Sequence, residues 1–448
     1  MDNCSQTLAT PPTTTPRGKI SIFDTTRRQN MSAIRRLNLI SQHISPFSAS
    51  SSSTTSSSTH SKMPVSTQAA HPLTLIPGPV EFTDEVLQAM ATPSQSHVSP
   101  QFVSVFGDAL ALLRQLFMNT DKSAQAFAIA GAGTLGWDFV ASNLIEPGED
   151  ALVLHTGYFA DSFADCIDTY GGVPTQLKAP IGDIVPLDQI EAALKSKFYK
   201  VITITHVDTS TGVLSDIKTI AALVRKVSPN TLIIVDGVCS VGVEEIRFDE
   251  WDLDFVLTAP QKAIGVPAGL SIFIASGRAL DVFKSRKAKP GSYYASLSKW
   301  LPVMQNYEAK KASYFSTPPV QNIHALLASL KQILAIPLED RFAAHEKMST
   351  HVKETIESYG LKQVAVRPGY QAHGMTAVYV PEGVTLPDFL PKVAKRNIVL
   401  AGGLHKDIAT KYFRIGHMGV SAIGEDREDF TLALNAIKDS LKECGYTF

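Results

Sequence analysis

A chain of 448 residues, 44% of them hydrophobic, has material for a sizeable core and for two domains once any tail is set aside. Its formal charge of -1 gives no sign of the strongly basic balance of a nucleic-acid binder, and no apolar run reaches the length needed to span a bilayer. Cys4, Cys166, Cys239 and Cys444 are scattered without metal-ligand spacing, which fits a reducing compartment and excludes a disulfide framework.

Residues 1–70 differ from everything after them. Between Thr25 and Val80 there is no Asp or Glu, while Arg27, Arg28, Arg35, Arg36 and Lys62 supply positive charge and Ser and Thr dominate Ser48 to Ser61. This composition predicts a disordered leader acting as a mitochondrial transit peptide, with the matrix as destination; a solvated tail without an address is the alternative. Ile34 to Ile44 has the spacing of a short basic amphipathic helix. Met31 and Met63 are candidate internal starts, and initiation at Met63 would leave a form for the cytosol or the peroxisome.

Folded structure is expected from about His71. Leu73 to Val80, LTLIPGPV, reads as an apolar arm broken by Pro77-Gly78-Pro79 and leading into a helix over Asp84 to Met90. Phe102 to Phe117 carries Phe106, Leu110, Leu113 and Phe117 at helical spacing. The short strand Phe127 to Ala130 then meets Gly131, Gly133 and Gly136, in G-x-G-x-x-G spacing at the start of a helix over Leu135 to Leu144. A dinucleotide fingerprint needs an acid closing the next strand, whereas Glu149 and Asp150 precede the strand Ala151 to His155. The same turn can present backbone N–H groups, a positive dipole end and the Thr134 hydroxyl to a phosphate, or it can be an ordinary strand-to-helix turn.

Past the strand Ala151 to His155 come Tyr158 and Phe159, where an aromatic can stack on a flat ring or serve the core. Val201 to His206 is a further strand. Asp208-Thr209-Ser210-Thr211-Gly212 follows, its hydroxyls suited either to a ligand oxygen or to turn formation, and then a helix over Asp216 to Lys226. Thr231 to Val235 and Leu253 to Thr258 are continuous β-branched, apolar runs of the kind covered on both faces in a parallel sheet. They lead into Asp236 and Lys262, at the strand ends where open α/β sheets bind ligands. Alone, Asp236 could be a helix N-cap and Lys262 could reach to solvent. As a pair they suit pyridoxal phosphate, which needs a lysine for its Schiff base and an acid opposite its pyridinium nitrogen. The small-residue turn AIGVPAG after Lys262 leaves room for close approach.

Alternating strands and helices from about His71 to Leu330 predict a large doubly wound α/β domain with a mostly parallel sheet. A helical stretch over Ile336 to Gly360, strands at Met375 to Val380, Ile398 to Leu400 and Tyr412 to Ile415, and a terminal helix from Arg427 to about Glu443 predict a smaller α+β domain over 331–448.

From His71 to its end the chain resembles the class V, fold-type-I pyridoxal-phosphate aminotransferases, in particular the fungal alanine:glyoxylate group. The resemblance is carried by IPGPV, AGAGTLGWD, THVDTSTGVLSD, VDGVCSVG, TAPQKAIGVPAG, YFSTPPV and FRIGHMGV, in family order. It implies that Lys262 forms the Schiff base and shuttles a proton, and that Asp236 partners the pyridinium. Phe159 would stack on one ring face and Val238 pack on the other, with Gly133, Thr134 and Gln261 on the phosphate and Thr209 near the ring oxygen. Tyr314 and Thr317 would reach the phosphate of a neighbouring subunit in a homodimer. Arg414 would clamp the substrate carboxylate in a pocket lined by Gly78. Relatives carry tryptophan at the Phe159 position and a serine-histidine pair at Ala132 and Thr134.

The activity so implied converts alanine and glyoxylate to pyruvate and glycine, in glycine synthesis and glyoxylate removal, with serine:pyruvate or serine:glyoxylate exchange as alternatives. Partners would be small amino acids and 2-oxo acids, without nucleic acid, membrane or metal. A cysteine desulfurase of the same fold needs a mobile-loop cysteine after the lysine, and only Cys444 follows it. An NAD-dependent oxidoreductase rests on the glycine spacing alone.

Overall fold

Seven strands form the central sheet: β1 (Gln125–Ala130), β2 (Asp150–His155), β3 (Val173–Lys178), β4 (Val201–Thr205), β5 (Leu232–Asp236), β6 (Phe255–Thr258) and β7 (Leu270–Ala275). The computed structural model describes residues 68–424 and 427–448 and gives the strand order β1-β7-β6-β5-β4-β2-β3. Neighbours from β6 to β3 pair in parallel, and β7 runs antiparallel to both β1 and β6. The expected leader up to residue 67, its helix over Ile34 to Ile44 and the candidate starts Met31 and Met63 lie outside the described residues.

Every residue of β4, β5, β6 and β7 is buried, as strands covered on both faces must be. The helix Leu135–Leu144 packs on β6 and β7, and Tyr158–Thr169 packs on β2, β3 and β4. Asp216 proves to be the N-cap of the helix Ile217–Val227, its carboxylate accepting from the Thr219 N–H at 3.0 Å. That helix buries Ile217, Ile220, Ala221 and Val224, one face at helical spacing. Pro100–Leu116 starts two residues earlier than its apolar pattern because Ser99 caps it and Pro100 fits its first turn. Two strands of the central sheet escape the sequence pattern: β3, an edge strand with no fully buried residue, and β7, whose LSIFIA is apolar but whose reversed direction is a matter of tertiary placement.

A second apolar cluster, including Val352, Ile356, Phe389, Phe413 and Ile437, lies under a three-stranded antiparallel sheet. Its strands are β8 (Met375–Tyr379), β9 (Ala401–Gly402) and β10 (Tyr412–Gly416), with β10 in the middle, and the helices Leu338–Ser358 and Asp429–Glu443 pack with them. The segment expected as a third strand of this sheet does something else. Ile398–Val399 pairs in parallel with Leu73–Thr74, which ties the N-terminal arm to the second core. All described residues belong to one compact unit.

Candidate active site

β5 ends on Asp236, and in the parallel register Asp236 faces Leu257 of β6, so the acid and the turn that carries Lys262 leave the sheet side by side. The Gly237 N–H donates to the Leu257 carbonyl at 2.8 Å and the Thr258 hydroxyl to the Gly237 carbonyl at 3.2 Å, which locks the two strand ends together. The Asp236 carboxylate is 3% exposed. It accepts from the Val238 N–H at 3.0 Å and from the Trp137 indole N–H at 2.8 Å. Burial pushes its carboxyl up to about 6, against the pull of those two donors and of Lys262. It is not a helix cap.

Lys262 does not reach to solvent. Its ammonium donates to the Pro77 carbonyl of the arm, and burial, helped by the Arg414 charge, lowers its pKa while Cys239 and Asp236 oppose the shift. A lowered amine pKa enlarges the neutral, nucleophilic fraction. The arm is held in place by the Val80 N–H on the Gln261 carbonyl at 3.1 Å and by its own Leu75 carbonyl, which accepts from Gly416 at 2.7 Å. Gly78, at φ +92°, lies against the lysine: a Cβ there would stand 2.8 Å from Nζ. One short segment thus touches both the Lys262 turn and β10, which carries Arg414.

Arg414 donates from Nε to the Gly402 carbonyl at 2.8 Å and from Nη1 to the Thr209 carbonyl at 3.2 Å. Burial lowers its pKa, and among the described residues no carboxylate forms an ion pair with it. A buried guanidinium bonded only to neutral carbonyls is short of an anion.

The remaining residues singled out in the sequence fall into three groups. Gly133, Val238 and the lysine turn converge: a Cβ on Gly133 would lie 3.1 Å from Val238 Cγ2 and 3.2 Å from Ala259 Cβ. Thr134 opens the helix Leu135–Leu144, exposed and making no side-chain cap bond; Phe159, half-buried, sits edge-on to Trp137 with ring centres 6.4 Å apart. Thr209 is buried, its side chain bonded to Cys239, and Gln261 keeps a buried Oε1 without a partner. Tyr314 and Thr317, by contrast, are exposed, with Tyr314 packed on His97 at 4.9 Å. The fold of one chain gives them no contact with the Lys262 pocket.

The hydroxyls of the 208–212 loop are largely committed elsewhere. Ser210 bonds Asp208 at 2.6 Å and accepts from the Tyr158 N–H at 3.0 Å, and Thr211 donates to the Thr156 carbonyl at 3.1 Å. Asp208, fully buried, also accepts from the Ser210 N–H at 2.9 Å and so holds that residue's hydroxyl in place. Ser210, oriented by Asp208, therefore caps the helix Tyr158–Thr169 from another loop, because its own N-cap, Gly157, has no side chain. Sequence reasoning missed this and missed Trp137. The only available signal was a tryptophan following the glycine turn, and nothing local says where its N–H goes.

These residues fit pyridoxal phosphate. The buried carboxylate meets two neutral N–H donors and lacks the cation that a protonated ring nitrogen would provide; the amine is buried, with its pKa lowered by that burial; Gly133 leaves the space a Cβ would fill; Gln261 has an unsatisfied amide oxygen at the lysine turn. They do not fit a dinucleotide. β1, which precedes the glycine turn, is an edge strand beside antiparallel β7, and β2 lies across the sheet between β3 and β4, so no strand-helix-strand unit of adjacent parallel strands exists there. Cys444 caps the last helix and packs on the second core, away from the place a desulfurase cysteine would occupy.

Fold and site together define a fold-type-I pyridoxal-phosphate enzyme. The chain belongs to the class-V aminotransferases, whose family model matches residues 81–419. It is 45% identical over 378 residues to alanine–glyoxylate aminotransferase 1 of Saccharomyces cerevisiae, covering 82% of this chain and 97% of the relative. It is 32% identical to L-aspartate–glyoxylate aminotransferase of Paracoccus denitrificans, over 77% of this chain and 85% of that one. Among solved structures, ureidoglycine–glyoxylate aminotransferase of Bacillus subtilis superposes with a TM-score of 0.78 at 25% identity, over 85% of this chain and 95% of the other.

Proposed function

We propose that this aminotransferase moves the amino group of alanine to glyoxylate, giving pyruvate and glycine. The observation that carries the reading is the gathering of a buried amine held by the arm, a buried acid at the neighbouring strand end and a guanidinium that has no carboxylate partner among the described residues. The three relatives named above all act with glyoxylate while their donors differ, and the 45% identical one uses alanine. Glyoxylate as the smallest 2-oxo acid also suits a pocket in which Gly78 and Gly416 are hemmed in by the lysine and by the arm.

Pyridoxal phosphate, when bound, supplies the carbonyl that takes up the amino group and a ring that draws electrons from the substrate α-carbon. Lys262 anchors it. With the cofactor held there, the Lys262 amine would take the proton from the substrate α-carbon as base and give it back as acid. Asp236, held by Trp137 and Val238, keeps the ring nitrogen protonated. Phe159 and Val238 would hold the ring, Gly133, Thr134 and Gln261 would hold the phosphate, and Thr209 would serve the ring oxygen. Arg414 grips the α-carboxylate of each substrate in turn. Tyr314 and Thr317, exposed in one chain, complete the site of a second copy, so the working unit is a homodimer. The Arg- and Ser-rich leader, without an acid from Thr25 onward, directs the chain to the mitochondrial matrix, where the reaction makes glycine.

Purified protein supplied with pyridoxal phosphate and glyoxylate is expected to turn over alanine at least about tenfold more efficiently than serine or aspartate, a margin of about 1.4 kcal/mol in transition-state binding. Equal or better kcat/KM with serine would replace alanine by serine as the donor.

A further inference from the structure

Arg341 and His345 stand one helical turn apart near the start of the helix Leu338–Ser358 and point inward, 4% and 0% exposed. Neither serves the second core. The Arg341 guanidinium donates from Nε to the Gly242 carbonyl and from Nη2 to the Ala263 carbonyl, both at 2.8 Å. Among the described residues no carboxylate opposes its charge, and burial alone lowers its pKa to about 10. Keeping a cation there is costly unless its bonds matter. Gly242 lies on the loop that leaves Asp236, and Ala263 directly follows Lys262. The two loops touch at this point, since a Cβ on Gly242 would lie 3.7 Å from the Ala263 Cβ.

His345 extends the same fastening to the third element of the site. Its Nδ1 lies 2.8 Å from the Arg341 carbonyl, which can only accept, so Nδ1 carries the hydrogen. Its Nε2 is then free to accept from the Gly419 N–H at 3.2 Å. Burial and the nearby Arg341 charge push the imidazole down to about 3, so it is neutral at physiological pH, as that arrangement requires. Gly419 lies on the loop that follows β10 and Arg414.

We infer that Arg341 and His345 are positioning residues that fasten the Asp236, Lys262 and Arg414 loops to one helix of the second core and so set the distances among the three. Arg341 fixes the two cofactor loops to each other. His345 fixes the substrate-carboxylate loop to the same support. The two limbs are separable: losing Arg341 should loosen the cofactor, and losing His345 should weaken substrate binding with the cofactor still tight.

The inference rests on the pyridoxal-phosphate site at Lys262, and the experiment distinguishes the two. Apo-protein is titrated with pyridoxal phosphate, followed by absorbance, and hydride reduction with peptide mapping locates the attachment. Attachment of the parent elsewhere than Lys262 would overturn the site itself. With attachment at Lys262, folded Arg341→Met, matched to the parent by near-ultraviolet circular dichroism, is expected to lose at least about tenfold in cofactor affinity, as removal of buried charge-assisted bonds should. Amide hydrogen exchange over 237–244 and 262–266 should quicken together in the same variant. Affinity within about twofold of the parent would overturn the inference. Should the methionine variant not fold, Arg341→Lys decides: a single ammonium cannot reproduce the two-carbonyl fork, so a loss of about threefold or more is expected and parental affinity overturns the role. His345→Phe is expected to raise the KM of alanine and glyoxylate at least about fivefold while cofactor affinity stays within about twofold. The reverse pattern, with cofactor lost and KM unchanged, would overturn the division between the limbs.

Discussion

At Asp236 the chemistry is set by what surrounds the carboxylate. Its folded pKa of about 6 lies above the ordinary value near 3.9, so between those pH values the folded apo-protein binds more protons than the unfolded chain. The contribution of Asp236 to apo-protein stability is therefore greatest below about pH 4 and is lost as pH rises to about 6, by up to about 3 kcal/mol. Asp236→Asn removes this titration. Urea unfolding of apo parent and variant from pH 4 to 7 should show the parent losing stability relative to the variant across that window, and parallel profiles would contradict a buried, titrating acid. Arg414 offers a second test at this scale. A guanidinium bonded only to carbonyls in the free site should cost about 2 to 5 kcal/mol in kcat/KM when Arg414 becomes Ala, for alanine and glyoxylate alike. Arg414→Lys should recover little, because a point charge cannot form the fork. Kinetics within a few-fold of the parent for both substrates would place the carboxylate elsewhere.

Among the elements, the arm Leu75 to Val80 matters more than its length suggests. Its sequence, with two prolines about a glycine, announces a broken segment, but its partners are distant in the chain: the Lys262 ammonium, the Gln261 carbonyl and Gly416. Gly78 adopts a positive φ and has the lysine side chain where a Cβ would go, so Gly78→Ala meets both backbone strain and a clash. This variant should keep the fold, since Gly78 itself belongs to none of the apolar clusters, and should lose at least about tenfold in kcat/KM by displacing the lysine from its working position. Unchanged kcat/KM would show that the arm is only a cover. The helices, by contrast, were legible to within a few residues wherever an apolar stripe was present, as in Ile217–Val227 and Pro100–Leu116.

For the whole molecule, the exposed Tyr314 and Thr317 and the leader each call for a test beyond the single chain. If Tyr314 and Thr317 complete a partner's site, Lys262→Ala and a Tyr314→Ala, Thr317→Ala double variant carry lesions that fall in the same site of a mixed dimer and leave the other site intact. Co-refolding the two weakly active proteins should therefore restore about a quarter of parental activity, the share expected from random pairing in a two-fold dimer. No recovery, with mixed dimers present, would confine the site to one chain. The leader is tested separately by fusing residues 1–62 to a fluorescent protein: a mitochondrial signal is expected, and a uniformly cytosolic one would count against import.

What the sequence determined by itself is local or periodic. Continuous apolar strands ending in Asp236 and Lys262, glycines at a strand-to-helix turn and a basic residue in FRIGHMG could all be read in order, because burial on both faces, tight turns and capping leave marks within a few residues. Tertiary structure decided which of these meet. The antiparallel course of β7, the diversion of Ile398–Val399 to the arm, the Trp137 bond to Asp236 and the Ser210 cap on the Phe159 helix join positions far apart in the chain. A side-chain N–H or carboxylate carries no local mark of its partner. Its bonding is fixed only when the packed layers bring the strand ends together and every buried polar group must find a mate.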